Sequence, residues 1–228
     1  MKKILILSFI SLLFGGCDDN MKFFSAELTL MRSFIPMYEE SALSIRPLED
    51  ATSISEKCYL YCSIFHEDLE APHVVYKAPE LGATGKEAER FLEIAERNGD
   101  RSYNTYENIA HWSGRRCGSD NYMTMHVKCL NAAWDDAHPV GSLLDDIIRI
   151  RYYSYADYVR NGYPKGRTPN MKHHKSLTDT TEDDLCMLSS GISLYFASAP
   201  PAGTYEMEVT LVTTEGEEKT ATCTLAIK

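Results

Sequence analysis

Thr204-Tyr205-Glu206-Met207-Glu208-Val209-Thr210-Leu211-Val212-Thr213, then Glu215-Gly216, then Glu218-Lys219-Thr220-Ala221-Thr222-Cys223-Thr224-Leu225-Ala226-Ile227, is the stretch that decides the fold class. In its first half Tyr205, Met207, Val209 and Leu211 alternate with Glu206, Glu208 and Thr210. In its second half Ala221, Cys223, Leu225 and Ile227 alternate with Thr220, Thr222 and Thr224. Successive side chains of a strand point to opposite faces, so each half carries one apolar and one polar face. Gly216 supplies the positive φ that a tight reversal needs. The two halves are expected to form a hairpin with one face buried.

Working outward, Pro200-Pro201-Ala202-Gly203 reads as a loop closing an earlier strand at 192–198. Further strands are expected at 27–31, 57–65, 121–130, 146–153 and 185–189. Within 121–130, Met123, Met125, Val127 and Cys129 alternate with Tyr122, Thr124, His126 and Lys128. One helix interrupts this pattern. Thr84 and Glu87 have the spacing of a capping box, Ala88, Phe91, Leu92 and Ala95 form an apolar stripe, and Asn98-Gly99 is a stop signal. A helical turn is expected around 155–160. Together these predict a mainly β fold: an antiparallel sandwich with one inserted α-helix at about 84–98.

The N-terminus has a separate meaning. Lys2 and Lys3 precede an apolar run that ends in Leu13-Phe14-Gly15-Gly16-Cys17, with Asp18-Asp19 next. The run is about half the ~20 residues a membrane-spanning helix needs. It resembles a bacterial lipoprotein signal, in which the cysteine after two small residues is lipidated and becomes the first mature residue; a plain cleaved secretory signal is the alternative. The expected organisation is a signal peptide at 1–16, a lipid anchor on Cys17 with a tether to residue 21, and one domain at 22–228.

Pro201-Ala202-Gly203-Thr204-Tyr205, with Val209 beyond it and the threonine-rich last strand, resembles the end of immunoglobulin-like domains in cell-envelope lipoproteins of Bacteroidota. Cys17-Asp18-Asp19-Asn20 is similar to their export signal, which places acidic residues after the lipidated cysteine. The resemblance covers both ends of the chain and not its middle. It implies an immunoglobulin-like sandwich held by lipid in the outer membrane at the cell surface. Many such proteins belong to families of unknown function, so it implies location and fold more than activity.

Charge narrows the partners. The formal net charge is −10, and losing residues 1–16 removes two lysines and no acid, leaving about −12. That balance argues against nucleic acid, which requires clustered positive charge. Besides Cys17 there are Cys58, Cys62, Cys117, Cys129, Cys186 and Cys223, an even number that suits disulfides in an oxidising compartment. Cys58 and Cys62 lie on one expected strand, ~13 Å apart, too far to bond each other. Without a C-x-x-C pair or matching histidine spacing, structural zinc is not expected, and disulfides or buried free thiols are the readings that remain.

The most aromatic stretch holds Tyr152, Tyr153, Tyr155 and Tyr158, with Tyr163 beyond. Tyrosine offers an apolar ring and a polar tip, suited to sugars and protein partners; the competing reading is core packing of alternate tyrosines. Residues 160–175 carry Lys165 and Arg167 among seven basic residues and no acid, which fits an anion-binding loop or a solvated one. These seven residues, the five tyrosines with Lys165 and Arg167, are the candidate binding residues. His173-His174 with Asp179, Asp183 and Asp184, and Asp135-Asp136 with His138, supply metal-ligand types without metal-ligand spacing. No metal or cofactor is expected. Neither a G-x-S-x-G nor an H-E-x-x-H motif is present. The sequence therefore favours a non-catalytic binding or accessory role toward glycan or an envelope protein. A polysaccharide hydrolase using two carboxylates and a structural subunit of a surface assembly are the alternatives.

Overall fold

The computed structural model describes residues 33–48, 57–66, 73–79, 83–103 and 116–227. The expected signal peptide at 1–16, the expected anchor and tether at 17–21 and the strand expected at 27–31 lie outside them. The elements are β1 (Met37–Glu39), β2 (Ser44–Pro47), β3 (Lys57–Ser63), β4 (Val75–Lys77), α1 (Lys86–Arg97), β5 (Arg116–Gly118) and β6 (Tyr122–Cys129). Then follow β7 (Ile148–Ser154), α2 (Ala156–Arg160), β8 (Met171–Ser176), β9 (Ile192–Phe196), β10 (Gly203–Thr213) and β11 (Glu218–Ile227). The fold is mainly β. Its sheets run β11-β10-β6, β2-β3-β9-β7-β8 and β4-β1-β5, and the pairings are antiparallel except that of β1 with β5.

The hairpin forms with the expected parity. Tyr205, Met207, Val209 and Leu211 are buried, and Gly216 holds φ 86 in the turn. These side chains meet Met125 and Val127 of β6, and across the core Ile148, Ile150, Ile192, Leu194 and Leu60 of the five-stranded sheet. Trp134, from the loop after β6, closes this core. Its ring stacks on Phe196 at 4.7 Å and its indole N–H donates to the Ser198 carbonyl.

The expected parity of β6 breaks at its start. Val212 pairs with Thr124 and Thr213 with Tyr122, so Met123 is an extra residue, a β-bulge. Tyr122 is buried in consequence, and Met123 is 47% exposed. Residues 185–189 are not a strand. Leu185, Cys186, Met187 and Leu188 are buried as a strand would require, but Met187 sits at φ 48 and only Leu188 forms a bridge, with Ser154.

The helix forms but the capping box does not. Gly85, at φ 121, is the N-cap with no side-chain bond, so Thr84 lies one residue too early to reach the first-turn N–H groups. The C-terminus behaves as expected: Gly99 at φ 70 lets its N–H reach the Glu96 carbonyl and the Asp100 N–H reach that of Ala95. The buried face is Phe91, Ile94 and Ala95; Leu92 is outside it. This face builds a second core with Phe34, Ile35, Tyr38, Tyr155, Val159 and Tyr163.

The expected disulfides are corrected. Cys62, Cys117, Cys129, Cys186 and Cys223 are free thiols, and the Cys58 side chain lies outside the described residues. Cys129 and Cys223 both pair with Met207, one on each side, which sets them about 10 Å apart, beyond disulfide reach. Four of the five are buried and act as small apolar core residues; burial pushes the Cys62 thiol up to about 12 and that of Cys186 to about 11.

Candidate functional site

The candidate binding residues fall on β7, α2, the following turn and β8, and the structure divides them. Alternation along β7 turns Ile148, Ile150, Tyr152 and Ser154 inward and leaves Tyr153 on the outer face. Tyr155, Tyr158 and Tyr163 pack around Phe34 in the second core, with ring centroids 5.6, 4.9 and 6.3 Å from it. Tyr163 holds a left-handed backbone, φ 58, and its hydroxyl donates to Asp100 at 3.0 Å. For Tyr152, Tyr155 and Tyr163 the core-packing reading therefore describes the side chains. Lys165 and Arg167 are exposed on the turn between α2 and β8.

A pocket of about 360 Å³ lies where that turn crosses α2, lined by Asp157, Tyr158, Asn161, Pro164, Arg167, Thr168 and Met171. Two of the seven candidates, Tyr158 and Arg167, line it. The sequence did not single out Thr168 or Met171, and their place in the wall depends on how the turn folds back on α2. The walls offer a carboxylate, a guanidinium, a hydroxyl and an amide beside apolar surface from Tyr158, Pro164 and Met171. The Asn161 amide N–H is engaged with the Asp157 carbonyl, which ties the pocket rim to the helix.

A polar chain supports the pocket from below. His173 Nε2 lies 3.6 Å from the Asp157 carboxylate, and its ring stacks on Tyr152 at 5.0 Å and 13°. The Tyr152 hydroxyl donates to Asp184 Oδ1 at 2.9 Å. Lys175 Nζ lies 2.8 Å from both Asp184 oxygens, and Thr181 donates to Oδ2 from its backbone N–H and its hydroxyl. Burial raises the Asp184 pKa, but Lys175, the Thr181 donors and Tyr152 outweigh it and hold the carboxyl at about 2. Burial, reinforced by Asp184, raises the Tyr152 phenol well above its ordinary value, so it remains a neutral donor.

Of the two clusters with metal-ligand types, the first is dispersed, His173 facing Asp157, Asp183 facing Arg160 and Asp184 facing Lys175, and the second is a pair of His138 contacts to carboxylates. Alternation along β8 sends His173 toward Tyr152 and His174 to the opposite face, against Tyr195. His138 is held on both sides, Nδ1 at 2.6 Å from Asp135 and Nε2 at 2.9 Å from Asp146. Hydrogen bonding to Asp135, then to Asp146, raises its pKa. With both ring nitrogens occupied by carboxylates, no lone pair is left for a metal. Among the described residues no group of three such side chains is arranged to hold a metal ion.

Comparison with protein families, curated proteins and solved structures finds no match. No helix among the described residues is long and apolar enough to cross a membrane.

Proposed function

We propose that this chain is a lipid-anchored cell-envelope protein of the outer membrane, with an immunoglobulin-like sandwich facing the cell exterior, and that it acts by binding rather than catalysis. The observation that carries the reading is the pocket beside α2. Asp157 and Thr168 suit sugar hydroxyls, Arg167 suits a carboxylate, and the Tyr158 edge adds an apolar surface. The ligand class it fits is a glycan, with an envelope protein as the competing partner. Among the described lining residues Asp157 is the one carboxylate, whereas a carboxylate-pair hydrolase takes two about 5–10 Å apart, and this favours binding over hydrolysis.

A glycan array probed with the chain and with its Asp157→Ala and Arg167→Glu variants tests the pocket. Retention by the parent chain, lost in both variants at unchanged melting temperature, supports the reading; equal retention by all three sinks it. Turnover of a chromogenic glycoside would replace it with the hydrolase. Location is tested separately by protease shaving of intact producing cells, where protection of the chain would overturn the surface assignment.

A further inference from the structure

The loop that joins β6 to β7, at the end of β7 away from the pocket, carries an imidazole clamped between two carboxylates. His138 is only 7% exposed. Its Nδ1 lies 2.6 Å from Asp135 Oδ1 and its Nε2 lies 2.9 Å from Asp146 Oδ1. The two acids belong to different segments. Asp135 sits in the same turn as the histidine, where its Oδ1 also accepts the backbone N–H groups of Ala137 and His138. Asp146 lies in the short helical turn 145–147 that leads into β7. The contact of His138 with Asp146 is therefore a side-chain tie between the loop and that turn. The same loop carries the ring that closes the main core, because the Trp134 N–H donates to the His138 carbonyl at 2.9 Å.

The chemistry of this clamp requires a proton. A carboxylate only accepts hydrogen bonds, so both contacts are satisfied at once only by the imidazolium, which has an N–H on each nitrogen. The neighbouring charges leave the pair to act alone. Asp136 is exposed, Asp145 is turned to His126 and the Val127 N–H, and Lys128 faces Glu208. Hydrogen bonding to Asp135 and then to Asp146 accordingly raises the histidine pKa, against the opposing effect of burial. When the ring gives its proton to solvent, one N–H remains. Asp135 has the shorter contact and is fixed by two backbone N–H groups, so that hydrogen stays on Nδ1. Nε2 then turns a lone pair toward Asp146, and the attraction becomes repulsion.

We infer that His138 is a pH-sensitive latch: protonated, it ties the Trp134 loop to the 145–147 turn through Asp146, and loss of the proton releases that tie while the Asp135 contact stays. The sign follows from linkage. The latch is fully closed below the ordinary histidine range and opens as pH rises through the higher folded value.

The test follows the ring resonances of the full chain by NMR, with the His138 signal identified by its loss in His138→Asn. The parent midpoint should lie above about 6.5. Asp146→Asn, an exposed change, should lower it, whereas Glu215→Gln, which removes the same charge at the far hairpin turn, should not. Above the midpoint the ring nitrogen shifts should show the hydrogen on Nδ1. Amide exchange of Trp134, Gly141 and Leu144, corrected for base catalysis, should rise about two- to fivefold through the parent midpoint, and Asp146→Asn should lose most of that rise. A parent midpoint at or below about 6.5 would overturn the latch. So would equal midpoints in the two variants, a neutral ring protonated on Nε2, or an exchange rise that Asp146→Asn leaves intact.

Discussion

The core between the two larger sheets is filled by alternating strand residues, with Tyr205, Met207, Val209 and Leu211 meeting Ile148, Ile150 and Leu194 and no charged group among them. The second core, where α1, α2 and the residues before β1 meet, gathers around Asp100, a carboxylate with no exposed surface. Asp100 accepts the backbone N–H groups of Phe34 at 2.7 Å and Ile35 at 2.9 Å, and the hydroxyls of Tyr163 and Tyr38. The first core needs only shape and apolar surface. The second is specified by one polar group whose partners come from segments far apart in the chain, so its loss would leave several buried donors stranded.

Truncating a large side chain in the first core should have the largest effect. Trp134 is fully buried against Phe196 and Tyr205, and Trp134→Ala should cost about 4 kcal/mol, read as a shift in denaturant midpoint. Asp100→Ala should cost about 3 kcal/mol, because it removes almost no apolar surface but leaves two buried N–H groups and two hydroxyls without their acceptor. A cost below about 1 kcal/mol for Asp100→Ala would mean that the second core does not depend on its polar centre.

The pH dependence of Asp100 and Asp184 should have opposite signs. Burial raises the Asp100 pKa, although its four hydrogen bonds partly oppose this. The unfolded chain therefore ionises first, and the stability Asp100 contributes is full below about pH 3.8 and falls as pH rises through the folded value. The cost of Asp100→Ala should shrink from acid toward neutral pH. Asp184, held at about 2, contributes above about pH 3.8 and loses that contribution as pH falls toward 2. Lys175→Met should cost about 1 kcal/mol near neutrality, allowing for a lysine side chain 41% exposed, and nearly nothing at pH ~2. Urea titrations of the three proteins at several pH values check both slopes, and parallel slopes would break the contrast.

How far the sequence reveals each region follows from the same difference. Alternation is a local property, so the β10–β11 hairpin and the buried face of β7 can be read from neighbouring residues. The bulge at Met123 cannot, because it is set by how β6 registers against β10. The three-residue strands β1, β4 and β5 are too short to show a period. Asp100 looks like an ordinary residue after a helix stop until Phe34 and Tyr163 are brought to it. The cysteines suggested disulfides by their even number, but their pairing is a matter of distance, and the sheet sets Cys129 and Cys223 a strand apart. The candidate site was legible in part. The tyrosine-rich stretch and basic turn mark the right segment, but alternation along β7 buries Tyr152 and packing around Phe34 buries Tyr155, Tyr158 and Tyr163.

The smallest effect is expected at a sequence signal that the structure does not use. Thr84 and Glu87 have the spacing of a capping box, yet Gly85 is the N-cap and Thr84 is exposed outside the helix. A working Ser or Thr cap is worth about 1 kcal/mol, so Thr84→Ala would show that loss if the box formed. The structure predicts a change within about 0.5 kcal/mol, as at other surface positions without a partner. Helix α1 is held instead by its C-terminal end and by Arg90 and Arg97, which meet Glu215 of the hairpin turn at 3.2 and 2.6 Å. Glu215→Ala should therefore exceed Thr84→Ala in cost, although both remain small for exposed pairs. The reverse order would put the helix start back at Thr84 and shift α1 relative to the hairpin it packs beside.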